Sequence, residues 1–410
     1  MIVRFLLVAA LLLIVTESRA ETPAEKAGFA PKLVMYLARG AANSCGPGCD
    51  RWIAVEGEVD IGAAARIRRF LGSVQDTQRP IYFHSPGGVV EPSFVIGRLL
   101  RSRKAIARVG RTIVTACAAG TQVDAACLKI KNGGGEIEAE LKTRNAMCNS
   151  ACGYLFLGAT TREVALDAAL GVHNSKLTLV VHGDPPPQVV AEFKQRGVAR
   201  ADRERAAFVA AMGIKGELND LIRTVKFESI HVLTRPELYR FGIDTRSFIE
   251  TAWTLEAEAR PYARKVALLK QGDGASFRTM EWRLFCANKD RAQLMFAREF
   301  DETAAGKATV VLAAGVDKDE EVGGFLARAG KYEIWSGAVF PDALKAILAS
   351  QHLRVRENTP MPDGTTGHST FEIETVGLQP AWTQLVASCA ATVTAKPAAA
   401  APSVNTAPAQ

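Results

Sequence analysis

From Trp52 to about residue 250 the chain alternates short apolar runs with amphipathic stretches. Trp52–Val55 and Pro80–Phe83 read as strands, Ile61–Leu71 and Val89–Leu100 as helices. This alternation predicts βαβ units and an α/β layer fold over residues 51–250. Arg111–Arg144 breaks the pattern with polar, glycine-rich sequence around Asn132-Gly133-Gly134-Gly135, so 112–144 reads as an inserted excursion. Pro185-Pro186-Pro187 stops one element, and a helical pattern resumes over Val189–Met212. From about 255 the texture changes. Strands are expected at Lys307–Ala313, Tyr332–Trp335 and Thr370–Thr375, and helices at Phe340–Ala349 and Leu378–Cys389. This predicts a second, smaller α+β domain over 255–392. Residues 21–50 form a lead-in, and the Ala/Pro-rich stretch 393–410 has the composition of a disordered tail.

The most apolar stretch lies at the start, in Met1–Ala20 (MIVRFLLVAALLLIVTESRA). Arg4 supplies a positive start, Phe5–Val15 an apolar run, and Ser18-Arg19-Ala20 a small-x-small cleavage site. The run is shorter than the ~20 residues a spanning helix needs. The expectation is a cleaved signal peptide and an exported protein, periplasmic or extracellular, that does not span the membrane after cleavage. Removal of Arg4, Glu17 and Arg19 lowers the formal charge only from +7 to +6. The basic run Arg98–Arg111 would suggest nucleic acid in a cytosolic protein; in an exported one it reads as a solvated helix face, and no nucleic-acid partner is expected. Composition (48% hydrophobic, 23% charged) excludes a wholly disordered or fibrous chain.

Export changes the meaning of the eight cysteines, which become disulfide candidates. Cys45 and Cys49 flank a Gly-Pro-Gly turn and can close a local loop. With no His or further Cys nearby to complete a site, a disulfide is favoured over a metal there, and no metal or cofactor is expected elsewhere. Cys286 and Cys389 stand near the two ends of the C-terminal domain and could staple it. Cys117, Cys127, Cys148 and Cys152 suggest one or two disulfides clamping the excursion over the segment at Ser150, their pairing left open.

Three spots carry chemistry. In Ile81-Tyr82-Phe83-His84-Ser85-Pro86-Gly87-Gly88 a strand ends in Pro-Gly-Gly before a helix, where backbone N–H groups can face an anion; Pro-Gly-Gly is also an ordinary turn. In Met147-Cys148-Asn149-Ser150-Ala151-Cys152-Gly153, Ser150 sits at a strand-to-helix junction, where a serine taken alone reads as an N-cap. Leu170-Gly171-Val172-His173 ends a strand in a histidine. Two glycine donors, a serine and a histidine together are the parts of acyl transfer.

With these residues in place, the segment Trp52–Asp244 resembles the proteolytic subunit of the Clp protease, within the Clp/crotonase superfamily. IYFHSPGGVV is similar to the family's Ser-Pro-Gly-Gly turn, with His84 where asparagine is usual. NSACGYLFLGATTREVALDAALGVHNS is similar to its nucleophile helix, its Gly-x-x-x-Arg bend and the strand ending in the catalytic histidine. Leu233–Asp244 resembles the closing helix. The resemblance implies a Clp/crotonase-like ββα superhelix, Ser150 as nucleophile, His173 as general base, and an oxyanion site formed by Gly87, Gly88 and the N–H of Ala151. It further implies a peptide or unfolded-protein substrate, taken without an ATPase partner because ATP is absent outside the cytoplasm, by an enzyme that could be a homo-oligomer.

Two departures stand against it. The family's third triad member, an aspartate, is replaced by Ile230, with Glu228 and His231 beside it and Asp220 or Asp202 on the preceding helix; the sequence chooses none. Its loss would cost up to ~10⁴-fold in rate. The second is the excursion at 112–144. Four alternatives compete with it: a catalytically degenerate Clp-like binding protein of the cell envelope, a serine–lysine peptidase (no lysine lies close to Ser150 in sequence), a catalytic thiol at Cys148 or Cys152, and acyl-CoA chemistry. The last is disfavoured because coenzyme A is absent outside the cytoplasm. The C-terminal domain carries no readable motif; Trp335, Trp382 and Cys389 are expected in its core.

Overall fold

The computed structural model describes residues 31–392, apart from 178–182, 184, 273, 300–308, 315–319 and 362. The expected signal peptide, residues 21–30 of the lead-in and the expected disordered tail from 393 lie outside the described residues.

The predicted alternation takes the form of a mixed seven-stranded sheet in the order β5-β6-β1-β2-β3-β4-β8. Strands β1 (Val34–Arg39) and β2 (Arg51–Glu56) pair antiparallel. From β2 the sheet continues parallel through β3 (Ile81–His84), β4 (Ile106–Val109) and β8 (Thr161–Glu163). Helix α1 (Ala63–Ser73) joins β2 to β3, burying Ala63, Ile67 and Leu71 at four-residue spacing. Helix α2 (Val90–Ser102) follows β3 and buries Phe94, Ile96 and Leu100.

The excursion is not an irregular loop. It supplies β5 (Arg111–Val114), helix α3 (Ala125–Lys131) and β6 (Glu136–Lys142). β6 lies parallel to β1 and antiparallel to β5, so the excursion extends the main sheet. In EIEAELK only Ala139 is buried and charge occupies the open face, which hides a strand behind polar composition.

A second, three-stranded sheet places the residues of interest. β7 (Met147–Asn149) runs parallel to β9 (Ala169–Val172), which pairs antiparallel with β10 (His231–Val232). Helix α4 (Ala151–Gly158) follows β7, and all eight of its residues are buried. It crosses α2 at closest approach through two glycines: a Cβ on Gly158 would fall 2.3 Å from Gly97 Cα. The Arg162 guanidinium fastens the far end of α4, donating to the carbonyls of Leu157, Met212, Gly242 and Ile243. Helices α5 (Pro187–Ala211) and α6 (Glu217–Thr224) then pack Phe208, Leu218 and Ile222 into the same core. Helix α7 (Arg235–Arg240) closes the unit, with buried Asp244 held by Arg235 and Arg246.

Beyond residue 245 the architecture is antiparallel. β13 (Tyr262–Gln271), β14 (Ser276–Asn288), β15 (Arg291–Glu299), β19 (Tyr332–Val339) and β18 (Phe325–Ala329) form one sheet, with β11 (Phe248–Glu250) and β12 (Thr254–Glu256) on β13. A four-stranded sheet orders β17 (Glu320–Gly323), β16 (Thr309–Ala314), β20 (His352–Pro360) and β21 (Thr366–Glu374). Helices α8 (Pro341–Ala349) and α9 (Leu378–Thr392) pack on them, at the two positions expected. Trp335, Trp382 and Cys389 are buried, the tryptophans in the hydrophobic cluster around Trp282 and Phe296. β13, β14 and β15 escape the sequence reading because charge interrupts their apolar rhythm. Lys265, for instance, is fully buried in β13 against Glu250. Among the described residues, no helix is long and apolar enough to cross a membrane.

Candidate functional site

Ser150 stands between β7 and α4 with φ 55° and ψ −123°. A side chain costs of order 1–3 kcal/mol in so sparsely populated a region, and it persists only where the surroundings over-determine it. Here they do. Ser150 N donates to Gly171 O at 2.8 Å, and Gly153 N donates to Ser150 O at 2.9 Å. The Cys148–Cys152 disulfide spans the junction (Cα–Cα 5.1 Å), and α4 behind it is buried on every face. A strained strand-to-helix turn of this kind is how a serine hydroxyl is presented outward. Ser150 is half-buried, and although it occupies the N-cap position its side chain makes no capping hydrogen bond.

The Pro-Gly-Gly turn arrives alongside it because β3 runs on against β7: Ser85 N donates to Met147 O (2.8 Å) and Asn149 N to Ser85 O (3.0 Å). Both glycines are required. At Gly87 (φ 113°) a Cβ would lie 2.6 Å from Ser150 Cβ, and at Gly88 (φ 135°) 2.3 Å from Val59 O. The N–H of Gly87 donates to Ser85 Oγ at 3.1 Å. Of the three predicted donors this leaves Gly88 and Ala151, the latter at the first position of a helix, where N–H groups have no intrahelical acceptor.

His173 follows directly on β9, whose register sets Gly171 opposite Asn149. Its Nε2 is 2.7 Å from Ser150 Oγ. The ring packs against Phe227 with centroids 5.1 Å apart. Burial lowers its pKa below the ordinary 6.5, outweighing the Phe227 backbone and the Glu228 charge, both of which favour the protonated ring. Nδ1 is buried, with the Phe227 backbone beside it and no carboxylate within hydrogen-bond reach.

The carboxylates considered for that nitrogen are engaged elsewhere or exposed. Asp220 pairs with Arg223 at 3.1 Å on an exposed face. Asp202 pairs with Arg205 and Arg223, Glu228 is exposed, and Ile230 is 43% exposed. His231 is bound to Glu237 at 3.0 Å. Two further neighbours gave no signal in the sequence: Phe227, which flanks the imidazole, and Asn149, whose Oδ1 is buried without a partner.

The eight cysteines form four pairs: Cys45–Cys49, Cys117–Cys127, Cys148–Cys152 and Cys286–Cys389. The first and last are the expected loop and staple. The expected clamp between the excursion and the helix of Ser150 is not made, because Cys117 and Cys127 are close enough to join within the excursion and Cys148 and Cys152 lie one turn apart. The latter pairing leaves no thiol at either position to act as a nucleophile.

No family model and no curated protein matches the chain. Among solved structures it is similar to a mutant of a membrane-bound stomatin-specific protease, with 14% identity over 47% of this chain and 75% of the other, at a TM-score of 0.28. It is also similar to invasion-associated protein B from Bartonella henselae, with 13% identity over 34% of this chain and 92% of the other, at a TM-score of 0.24.

Proposed function

We propose that the chain is an exported serine hydrolase of the Clp/crotonase-like fold, cleaving peptide or unfolded-protein segments without an ATPase. Ser150 is the nucleophile, His173 the general base, and the N–H groups of Gly88 and Ala151, beside Gly87, receive the oxyanion. The observation that carries this is the 2.7 Å contact between Ser150 Oγ and His173 Nε2, made by a serine held at φ 55°. The neutral imidazole takes the hydroxyl proton as Oγ attacks the scissile carbonyl, whose oxygen becomes the anion facing the two N–H groups. The imidazolium then protonates the leaving amine, giving an acyl-enzyme that water hydrolyses by the same steps. The four disulfides support an oxidising compartment.

A second reading has its own observation. No carboxylate bonds Nδ1: only the Phe227 backbone and the exposed Glu228 charge favour the imidazolium, where a buried carboxylate would orient and stabilise it. This favours a slow enzyme or a catalytically degenerate binding protein of the cell envelope. The two separate when the mature chain is incubated with a quenched-fluorescent unfolded protein in the absence of ATP. Cleavage that disappears in Ser150→Ala supports the hydrolase; saturable binding without cleavage supports the binding protein.

A further inference from the structure

Beside the Pro-Gly-Gly turn lies a cavity of about 510 Å³. Pro86 and Met147 line it, the first adjacent to Gly87 and the second three residues before Ser150. The far wall is built by the excursion, through Arg111, Thr112, Gln122, Val123, Leu128 and Lys131. The excursion thus both extends the main sheet and lines a cavity shared with His84, Pro86 and Met147, residues on the strand and turn that lead to Gly87 and Ser150.

The cavity's polar groups differ in how far they are committed. Glu56 is saturated: its carboxylate accepts from Lys131 Nζ (2.8 Å), Tyr36 OH (2.9 Å) and Thr112 N (2.9 Å). Lys131 is thereby neutralised in a buried pair. Gln122 spends its amide on Val114, Cys117 and Ala118. Two groups remain. Among the described residues the Arg111 guanidinium has no ion-pair or hydrogen-bond partner, and it is half-buried. His84 accepts the Met147 N–H at Nδ1 (3.2 Å), so its neutral ring carries the proton on Nε2. Burial lowers the pKa of this ring below the ordinary 6.5; the Glu56 charge opposes the shift and the Arg111 and Lys131 charges add to it. The cavity thus offers one uncompensated cation, an N–H donor and apolar walls (Val34, Val123, Leu128), a combination suited to a carboxylate carried on a short aliphatic stem.

We propose that this cavity is a substrate subsite for a carboxylate-bearing residue of the peptide, recognised by Arg111 with His84 Nε2–H. The carboxylate is that of an acidic side chain or of the chain's own C-terminus. The assignment rests on the hydrolase reading for its place in the reaction, but binding itself needs no turnover.

The test therefore uses the Ser150→Ala mature chain and fluorescence polarisation. Four labelled hexapeptides share five residues and end in Glu or Gln, as free acid or amide. The Gln amide, with no carboxylate, is expected to bind at least about tenfold more weakly than the preferred peptide, a difference of ~1.4 kcal/mol. Tight binding of the Glu amide assigns the side chain; tight binding of the Gln acid assigns the terminus. Arg111→Gln removes the discrimination and Arg111→Lys keeps part of it. Val123→Glu, on a wall position 44% exposed and so tolerant of charge, lowers carboxylate binding by a similar factor. Equal affinity for all four peptides, discrimination unchanged in Arg111→Gln, or no binding of any peptide overturns the subsite. Failure of Ser150 as a nucleophile would leave these affinities untouched and would show only in hydrolysis or covalent labelling.

Discussion

Two helices between residues 31 and 245 begin at a hydroxyl residue, and the two hydroxyls do opposite things. Thr234 opens α7 at φ −72°, ψ 160°; its oxygen accepts from Glu237 N, and Glu237 reaches back to the Thr234 N–H, completing a capping box. Ser150 opens α4 at φ 55° with no cap, its oxygen turned instead to His173. In sequence both are small hydroxyl residues preceding a helix, Ser150 before an apolar run and Thr234 before Arg235-Pro236-Glu237. Thr234 lowers the energy of its helix; Ser150 gives up that stabilisation and adds backbone strain. Residues that forgo local stabilisation in this way concentrate at functional sites, and this contrast supports assigning chemistry to one and structure to the other.

The contrast breaks most sharply at activity. Ser150→Ala should abolish peptide hydrolysis and His173→Ala should lower its rate by 10²–10⁴-fold, while Thr234→Ala leaves it within about twofold; comparable losses in all three would mean the hydroxyls are not used differently. Next in size is strain. Ser150→Gly should unfold at higher denaturant than Ser150→Ala, by about 1–3 kcal/mol, because only glycine occupies φ 55°, ψ −123° at little cost. At Thr234 the sign reverses: loss of the cap in Thr234→Ala should cost about 1 kcal/mol in the same measurement. The smallest effect is that of pH. His84 and His173 both have pKa values lowered mainly by burial from the ordinary 6.5. The unfolded chain therefore takes up protons first as the pH falls, so their contribution to stability is complete above about 6.5 and declines as the pH drops through the folded values. The acid limb of hydrolysis should also fall below 6.5, because the base must be neutral; a limb at or above 6.5 would contradict a desolvated His173.

The parts legible in the sequence were those written in backbone chemistry. Gly87 and Gly88 announce positive φ, and a contact, that no other residue allows; the small residues about Ser150 announce a crowded turn; β9 runs as an apolar stretch into His173. What stayed hidden depended on pairing across the fold. β6 was masked by the charges of EIEAELK, and β13 by a buried lysine whose partner, Glu250, lies on another strand. Cys45–Cys49 and Cys286–Cys389 are legible in the sequence as pairs; the middle four cysteines are legible but not their partners, since joining Cys117 to Cys127 or to Cys148 depends on where the excursion folds. The missing carboxylate at His173 Nδ1 is foreshadowed by Ile230 standing where the resemblance implies an aspartate. That no other carboxylate fills it is a property of the fold, in which Asp202 and Asp220 pair with arginines, Glu237 with His231, and Glu228 is exposed.

The central claim is that Ser150 is a nucleophile activated by His173, and covalent labelling of the mature chain with a fluorophosphonate across pH 6–9 tests it most directly. The account predicts a single adduct, mapped by peptide mass spectrometry to Ser150, absent in Ser150→Ala and strongly slowed in His173→Ala. No adduct at any pH, or one that persists unchanged in Ser150→Ala, would contradict it.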